Sequence, residues 1–183
     1  GGNTISVEVF KWHKDKSQKY TRHVGLAEGM SRDGQLNEER QIAAIAALKT
    51  LIEDVKEKNS GRKIILRAVG TAPFRAQNNS ESSSSYGLKF AQRIKDETEL
   101  EVEILTGTQE AEYAARGVED NDGLVINTGG GSTEFAILKN GEIKKTISIP
   151  LGMRHIAAAK NKKQFIQDLL DTLHKKFSEQ NNL

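Results

Sequence analysis

The sequence contains no cysteine, which excludes disulfides and thiolate metal sites and suits a reducing compartment. Long apolar runs are missing as well. None approaches the about 18 residues of a membrane-spanning helix, and no signal-peptide apolar region is visible. Charge of one sign is scarce: 27 Lys and Arg stand against 25 Asp and Glu, and a net charge of +2 is too small to argue for a nucleic-acid partner. Histidine is sparse too. His13, His23, His155 and His174 show no metal-ligand spacing and are expected at the surface or in packing. What remains, 36% hydrophobic and 28% charged over 183 residues, describes a soluble, cytoplasmic, globular chain long enough for one full domain and part of another.

The chemistry is concentrated in one stretch. The apolar run Leu124–Ile126 leads through Asn127 and Thr128 into Gly129, Gly130 and Gly131, followed by Ser132, Thr133 and Glu134 and an outgoing strand, Phe135 to Lys139. Glycines remove every Cβ from the turn, so backbone N–H groups can approach an anion closely. Ser132 and Thr133 add hydroxyls, and Glu134 offers a carboxylate for a cation or a water. A triple glycine alone reads as a hairpin loop; with the Ser-Thr-Glu sequence and flanking strands it reads as a phosphate-binding turn.

Elsewhere the pattern alternates strands and helices. Ile5 to Phe10 alternates as a strand, Lys11 to Gln18 as a hairpin tip, and Tyr20 to Leu26 as the returning strand. A strand is expected before Gly1. Asn37 is a candidate N-cap, and Ile42, Ile45, Leu48, Leu51, Ile52 and Val55 recur at helical spacing. Lys63 to Val69 has the apolar character of a buried parallel strand. Arg75 follows it in a loop and is either a fork for phosphate or a solvated arginine. Asn78 to Ser85 is a low-complexity loop, Tyr86 to Glu97 a helix and Leu100 to Leu105 a strand. Thr106-Gly107-Thr108 caps a helix starting near Gln109, with Glu110 in its first turn as dipole complement or general base. Asn140-Gly141 marks a two-residue hairpin before Glu142 to Ile149, and Phe165 to Phe177 is a last amphipathic helix. The plan repeats. A glycine turn, strand, turn, returning strand and helix occur after Gly1-Gly2-Asn3-Thr4 and again after Gly130-Gly131-Ser132-Thr133, so two glycine turns could grip one polyanion.

Four ordered motifs and one further segment carry a resemblance. Val69-Gly70-Thr71-Ala72-Pro73-Phe74-Arg75, with Asn79 beyond, resembles a Val-Ala-Thr-Ser-Ala-x-Arg motif, and Leu105-Thr106-Gly107-Thr108-Gln109-Glu110-Ala111 a Ser-Gly-x-Glu-Glu-Ala motif. Gly129 to Glu134 and Ser148-Ile149-Pro150-Leu151-Gly152 match further segments, and Gly25 to Met30 with Gly34-Gln35-Leu36 matches the region before the first helix. Together they resemble the exopolyphosphatase/guanosine pentaphosphate phosphatase family of the actin-like superfamily. The resemblance implies an α/β, actin-like (ribonuclease H-like) fold of duplicated domains, with mixed sheets flanked by helices. Residues 1–118 would form the N-terminal domain without its first strand, and 119–183 the beginning of an incomplete second.

By the same resemblance, Glu110 is the general base and Arg75 contacts phosphate. Gly2, Asn3, Thr4 and Gly129, Gly130, Gly131, Ser132 and Thr133 cradle phosphate, while Glu134 and Asn127 hold Mg²⁺ or another divalent cation. The expected reaction removes the terminal phosphate of inorganic polyphosphate or guanosine pentaphosphate. No nucleic acid or membrane partner is expected, and a homodimer is compatible. Two departures stand out: the aspartate before the first glycine turn is absent, and Asn127 stands where the family has aspartate. Asn127 motivates an alternative, a catalytically impaired polyphosphate- or nucleotide-binding protein. A nucleotide-dependent kinase fits less well, because Glu110 lies in a hydrolase-like motif.

Overall fold

In the computed structural model of the chain, residues 2, 4–10, 17–30, 35–75 and 86–179 are described. Gly1, Asn3, His13, Gly34, Asn79, the expected hairpin tip over residues 11–16 and the expected loop from Asn78 to Ser85 lie outside them. Contacts divide the chain into two units, Gly1–Ile104 and Leu105–Leu183.

The first unit opens with strands β1 (Thr4–Val9) and β2 (Gln18–His23), paired antiparallel with Thr4 opposite His23. Helix α1 (Glu38–Lys58) starts where its cap predicts. The Oδ1 of Asn37 accepts the N–H groups of Glu39 at 2.9 Å and Arg40 at 3.3 Å, donors that no helical carbonyl can reach. Ala44, Ile45, Leu51, Ile52 and Val55 are buried along it, whereas Ile42 is exposed. At 3.6 residues per turn Ile42 sits about 120° round the helix from the centre of that stripe.

Strands β3 (Ala68–Gly70) and β4 (Val102–Ile104) pair in parallel, joined through the short helix α2 (Ala72–Arg75) and helix α3 (Tyr86–Thr98). The buried strand expected from Lys63 to Val69 is thus confined to its end, and Ile65 and Val69 are exposed. Among the described residues β3 pairs on one side only, and the preceding apolar segment joins no ladder. Val24, Leu26, Leu36, Ala44, Ile45, Phe90 and Ile94 form the core of this unit. The Phe74 ring stacks on Phe90 at 5.4 Å. Outside it, Lys49 and Arg93 bind Glu97 at 3.0 and 3.1 Å and hold its carboxyl below the usual carboxylate range; exposed pairs of this kind stabilise little.

The second unit is a three-stranded antiparallel sheet in the order β5 (Gly123–Thr128), β6 (Thr133–Lys139), β7 (Glu142–Ile149). The turn from β6 to β7 is the expected Asn140-Gly141 pair, with φ of 54° and 74°. Two left-handed residues in succession match the twist of the strands they join. Helix α4 (Gly107–Arg116), which the sequence reading assigns to the first domain, packs on β6 and β7. Helices α5 (Met153–Ala158) and α6 (Lys162–Glu179) complete the unit.

Alternation along β6 sorts its side chains to two covers. Ala136 and Leu138 pack with Ala115 of α4; Phe135 packs with Ile147, Ile149 and, from α6, Leu169 and Leu173. Ile166 and Leu170, expected on the apolar side of the last helix, are exposed. Among the described residues no helix is long and apolar enough to cross a membrane.

Leu51 has 0% of its surface exposed. Replacing it with alanine should cost about 2–5 kcal/mol of stability, measured by urea unfolding followed by circular dichroism. A loss below about 1 kcal/mol would contradict the packing described for α1.

Candidate functional site

The residues singled out by sequence divide between the two units. Gly2, Thr4 and Arg75 lie in the first, and Glu110, Asn127, Gly129, Gly130, Gly131, Ser132, Thr133 and Glu134 in the second. In the first unit Gly2 is buried, and its carbonyl accepts the Ala27 N–H at 2.8 Å. Thr4 is the first residue of the β1 ladder. Arg75, expected in a loop, closes helix α2 instead. The reason is local: the Phe74 N–H reaches the Thr71 carbonyl at 2.8 Å, and Pro73 sits in the first turn, where a missing N–H costs nothing.

In the second unit the strands bring three polar residues into one row. Asn127 is the register partner of Glu134, which is the register partner of Ser148. Glu134 is 1% exposed; its Oε1 accepts from the Ser148 hydroxyl at 3.1 Å and its Oε2 from the Asn127 amide at 3.4 Å. The row faces α4, as Ala136 and Leu138 do further along β6.

Helix α4 meets that row at its first turn. Thr106 and Gln109 cap it reciprocally, the hydroxyl accepting from the Gln109 N–H at 3.1 Å and the Gln109 side chain from the Thr106 N–H at 2.8 Å. Gly107 rests directly on Ser148: a Cβ there would lie 2.3 Å from the Ser148 Cβ. Glu110 lies in the same first turn of α4.

The loop is held from behind. The Gly129 N–H donates to the Ser132 carbonyl at 2.9 Å, which prolongs the β5–β6 ladder and leaves Gly130 and Gly131 as the bend itself. The Gly129 carbonyl accepts the Met153 N–H at 2.9 Å. The Gly130 carbonyl accepts both the N–H of Arg154 at 3.1 Å and its Nε at 3.2 Å. In a trans peptide the N–H points opposite to the C=O, and no cis bond occurs among the described residues. The N–H groups of Gly130 and Gly131 therefore point away from α5, and neither has a backbone acceptor among the described residues. Ser132 and Thr133 are buried, and the Thr133 hydroxyl donates to the Leu151 carbonyl at 2.6 Å.

Arg154 was not singled out by sequence, and the roles of Gly152 and Ser148 were not visible there. Gly152, known from the sequence only as the last residue of the family-like segment from Ser148, packs on the loop's peptides: a Cβ on it would stand 2.5 Å from the Gly129 oxygen and 2.7 Å from the Gly131 nitrogen. Arg154 lies on α5, a helix too short for periodicity to reveal. Ser148 alternates unremarkably within β7. The available signal was the glycine directly after Ile149-Pro150-Leu151 and the arginine two residues beyond it.

Among the described residues no three His, Asp or Glu side chains form a metal-holding cluster. A single carboxylate beside an amide nevertheless fits a hard cation that draws its other ligands from phosphate and water. Both Glu134 oxygens already accept a hydrogen bond, so the row also stands without one.

The model of the Ppx/GppA phosphatase family matches residues 13–180. The chain belongs to that family. Among proteins similar to this Ppx/GppA chain is the guanosine-5'-triphosphate,3'-diphosphate pyrophosphatase of Vibrio campbellii, 28% identical over a 164-residue alignment that covers 83% of this chain and 30% of that protein. An exopolyphosphatase structure from Cytophaga hutchinsonii superposes with a TM-score of 0.79 at 24% identity, covering 100% of this chain and 61% of that one. The Aquifex aeolicus PPX-GPPA enzyme gives 0.68 at 25% identity, covering 97% and 60%. The fold is accordingly the α/β, actin-like one of these neighbours. The Ppx/GppA chain spans under a third of the curated relative and about three fifths of the solved ones.

Gly152→Ala should destabilise the protein by about 1–3 kcal/mol through overpacking against the loop backbone. Gly129→Ala, whose Cβ would meet the Ser132 oxygen at an ordinary 3.5 Å, should be milder. Thermal unfolding of the two variants checks this, and the reverse order would contradict the packing.

Proposed function

We propose that this Ppx/GppA chain belongs to a cytoplasmic hydrolase that removes the terminal phosphate of inorganic polyphosphate or guanosine pentaphosphate. The observation that carries the reading is the glycine loop. Its two carbonyls are bound on one side, which turns the Gly130 and Gly131 N–H groups to the other. Preorganised backbone donors of this kind stabilise charge on phosphoryl oxygens without reorganising during the reaction. The names printed for the related proteins, an exopolyphosphatase and a guanosine-5'-triphosphate,3'-diphosphate pyrophosphatase, support this substrate class.

In this reading Glu110 is the general base. Its carboxylate takes a proton from water, the water oxygen attacks the terminal phosphorus, and the bridging P–O bond breaks to leave a chain one phosphate shorter. The position of Glu110 in the turn of α4 that rests on Ser148 supports the assignment. Gly129 to Thr133 cradle phosphate, with Thr133 securing the loop through Leu151. Gly2, Asn3, Thr4 and Arg75 are the phosphate contacts proposed for the first unit. Ppx/GppA phosphatases generally use divalent cations. Glu134 and Asn127 would hold one, and it would neutralise charge on the phosphoryl oxygens.

Asn127 favours a second reading. It is neutral and already donates to Glu134, so a chain that binds polyphosphate without efficient hydrolysis is the alternative. Phosphate release measured with and without Mg²⁺ separates the two. Glu110→Gln should lower phosphate release by about 10²–10⁴-fold while leaving tripolyphosphate affinity within about threefold. Equal loss of both would show that Glu110 serves binding or structure rather than proton transfer.

A further inference from the structure

We propose that Arg154 is the positioning residue of the glycine loop, acting through the Gly130 carbonyl to keep the Gly131 N–H turned outward. The proposal rests on reading the loop as an anion site. The peptide between Gly130 and Gly131 has no Cβ at either end, so little steric resistance opposes its rotation. A rotated peptide would turn its carbonyl toward the anion and its N–H away, replacing attraction by repulsion. Two donors from one residue oppose that rotation: the Arg154 N–H at 3.1 Å, given by the first turn of α5, and its Nε at 3.2 Å. The second is charge-assisted, a kind of bond about twice as strong as a neutral one. Gly152 packs closely on the same peptide, a Cβ there standing 2.7 Å from the Gly130 carbonyl carbon and from the Gly131 nitrogen, yet among the described residues it offers that carbonyl no donor of its own. The direction of the carbonyl is left to Arg154. Its half-buried side chain also keeps a positive charge behind the loop, which favours an anion in front of it.

The test compares the chain with its Arg154→Ala and Arg154→Lys variants, using tripolyphosphate as the probe in calorimetry and the Gly130 and Gly131 amide signals in nitrogen-15 NMR. Arg154→Ala should weaken binding about tenfold, a loss of about 1.4 kcal/mol. It should also shift or split both loop amides while leaving that of Gly141, in the distant hairpin turn, unchanged. Arg154→Lys should behave like the alanine variant, because lysine has no Nε–H at that position, and added guanidinium ion should partly restore Arg154→Ala. Unchanged loop amides, or full rescue by lysine, would overturn the positioning role. If the chain itself does not bind tripolyphosphate, the anion reading fails, yet movement of the two amides alone would still establish that Arg154 sets the peptide. Should Arg154→Ala not fold, the amides of Arg154→Lys decide the matter.

Discussion

The carbonyls of Gly129 and Gly130 are bound by the first turn of α5, and what the second unit offers an anion follows from that constraint. A peptide is planar and trans, so fixing its oxygen also fixes the direction of its N–H. The loop needs no left-handed glycine to achieve this; none of its glycines has a positive φ. Instead it needs a close neighbour without a side chain, and Gly152 is that neighbour. Thr133 ties the approach down further by donating to Leu151, one residue before it.

Burial of Glu134 is the second constraint. A carboxylate withdrawn from water is costly unless its oxygens are satisfied, and here Ser148 and Asn127 each supply one donor from the neighbouring strands. Two carboxylates directly opposite each other across a strand pair would repel. An asparagine at position 127 removes that conflict and adds a hydrogen bond, so the row holds together by itself. The same row seats α4, since Gly107 packs on Ser148 with no room for a Cβ. The placement of Glu110, in the first turn of that helix, thus depends on the strand register that aligns Asn127, Glu134 and Ser148.

Local signals were legible in the sequence because their causes are local. Asn37 caps α1 through donors two and three residues away, and Thr106 with Gln109 does the same for α4. Asn140-Gly141 turns between strands because those two residue types tolerate the left-handed region. The order of most strands and helices could likewise be read from spacing, and the family from the resemblance of its motifs. Burial was less legible. Ile42, Ile65, Val69, Ile166 and Leu170 are apolar yet exposed, since hydropathy records what a side chain prefers and not whether another element arrives to cover it.

By itself, then, the chain's residue order determined where its elements begin and turn, which face of each carries apolar groups, and that a glycine-rich bend precedes a carboxylate. Only the tertiary structure decided that Gly152 rather than Gly129 must lack a side chain, that Arg154 stands behind the loop, and that Ser148 links Glu134 to the seat of α4. The physical reason is the range of the forces involved. Caps and turns are closed by hydrogen bonds within a few residues, whereas those three roles arise from backbones 14 to 41 residues apart meeting at contact distance, and no local pattern records such a meeting.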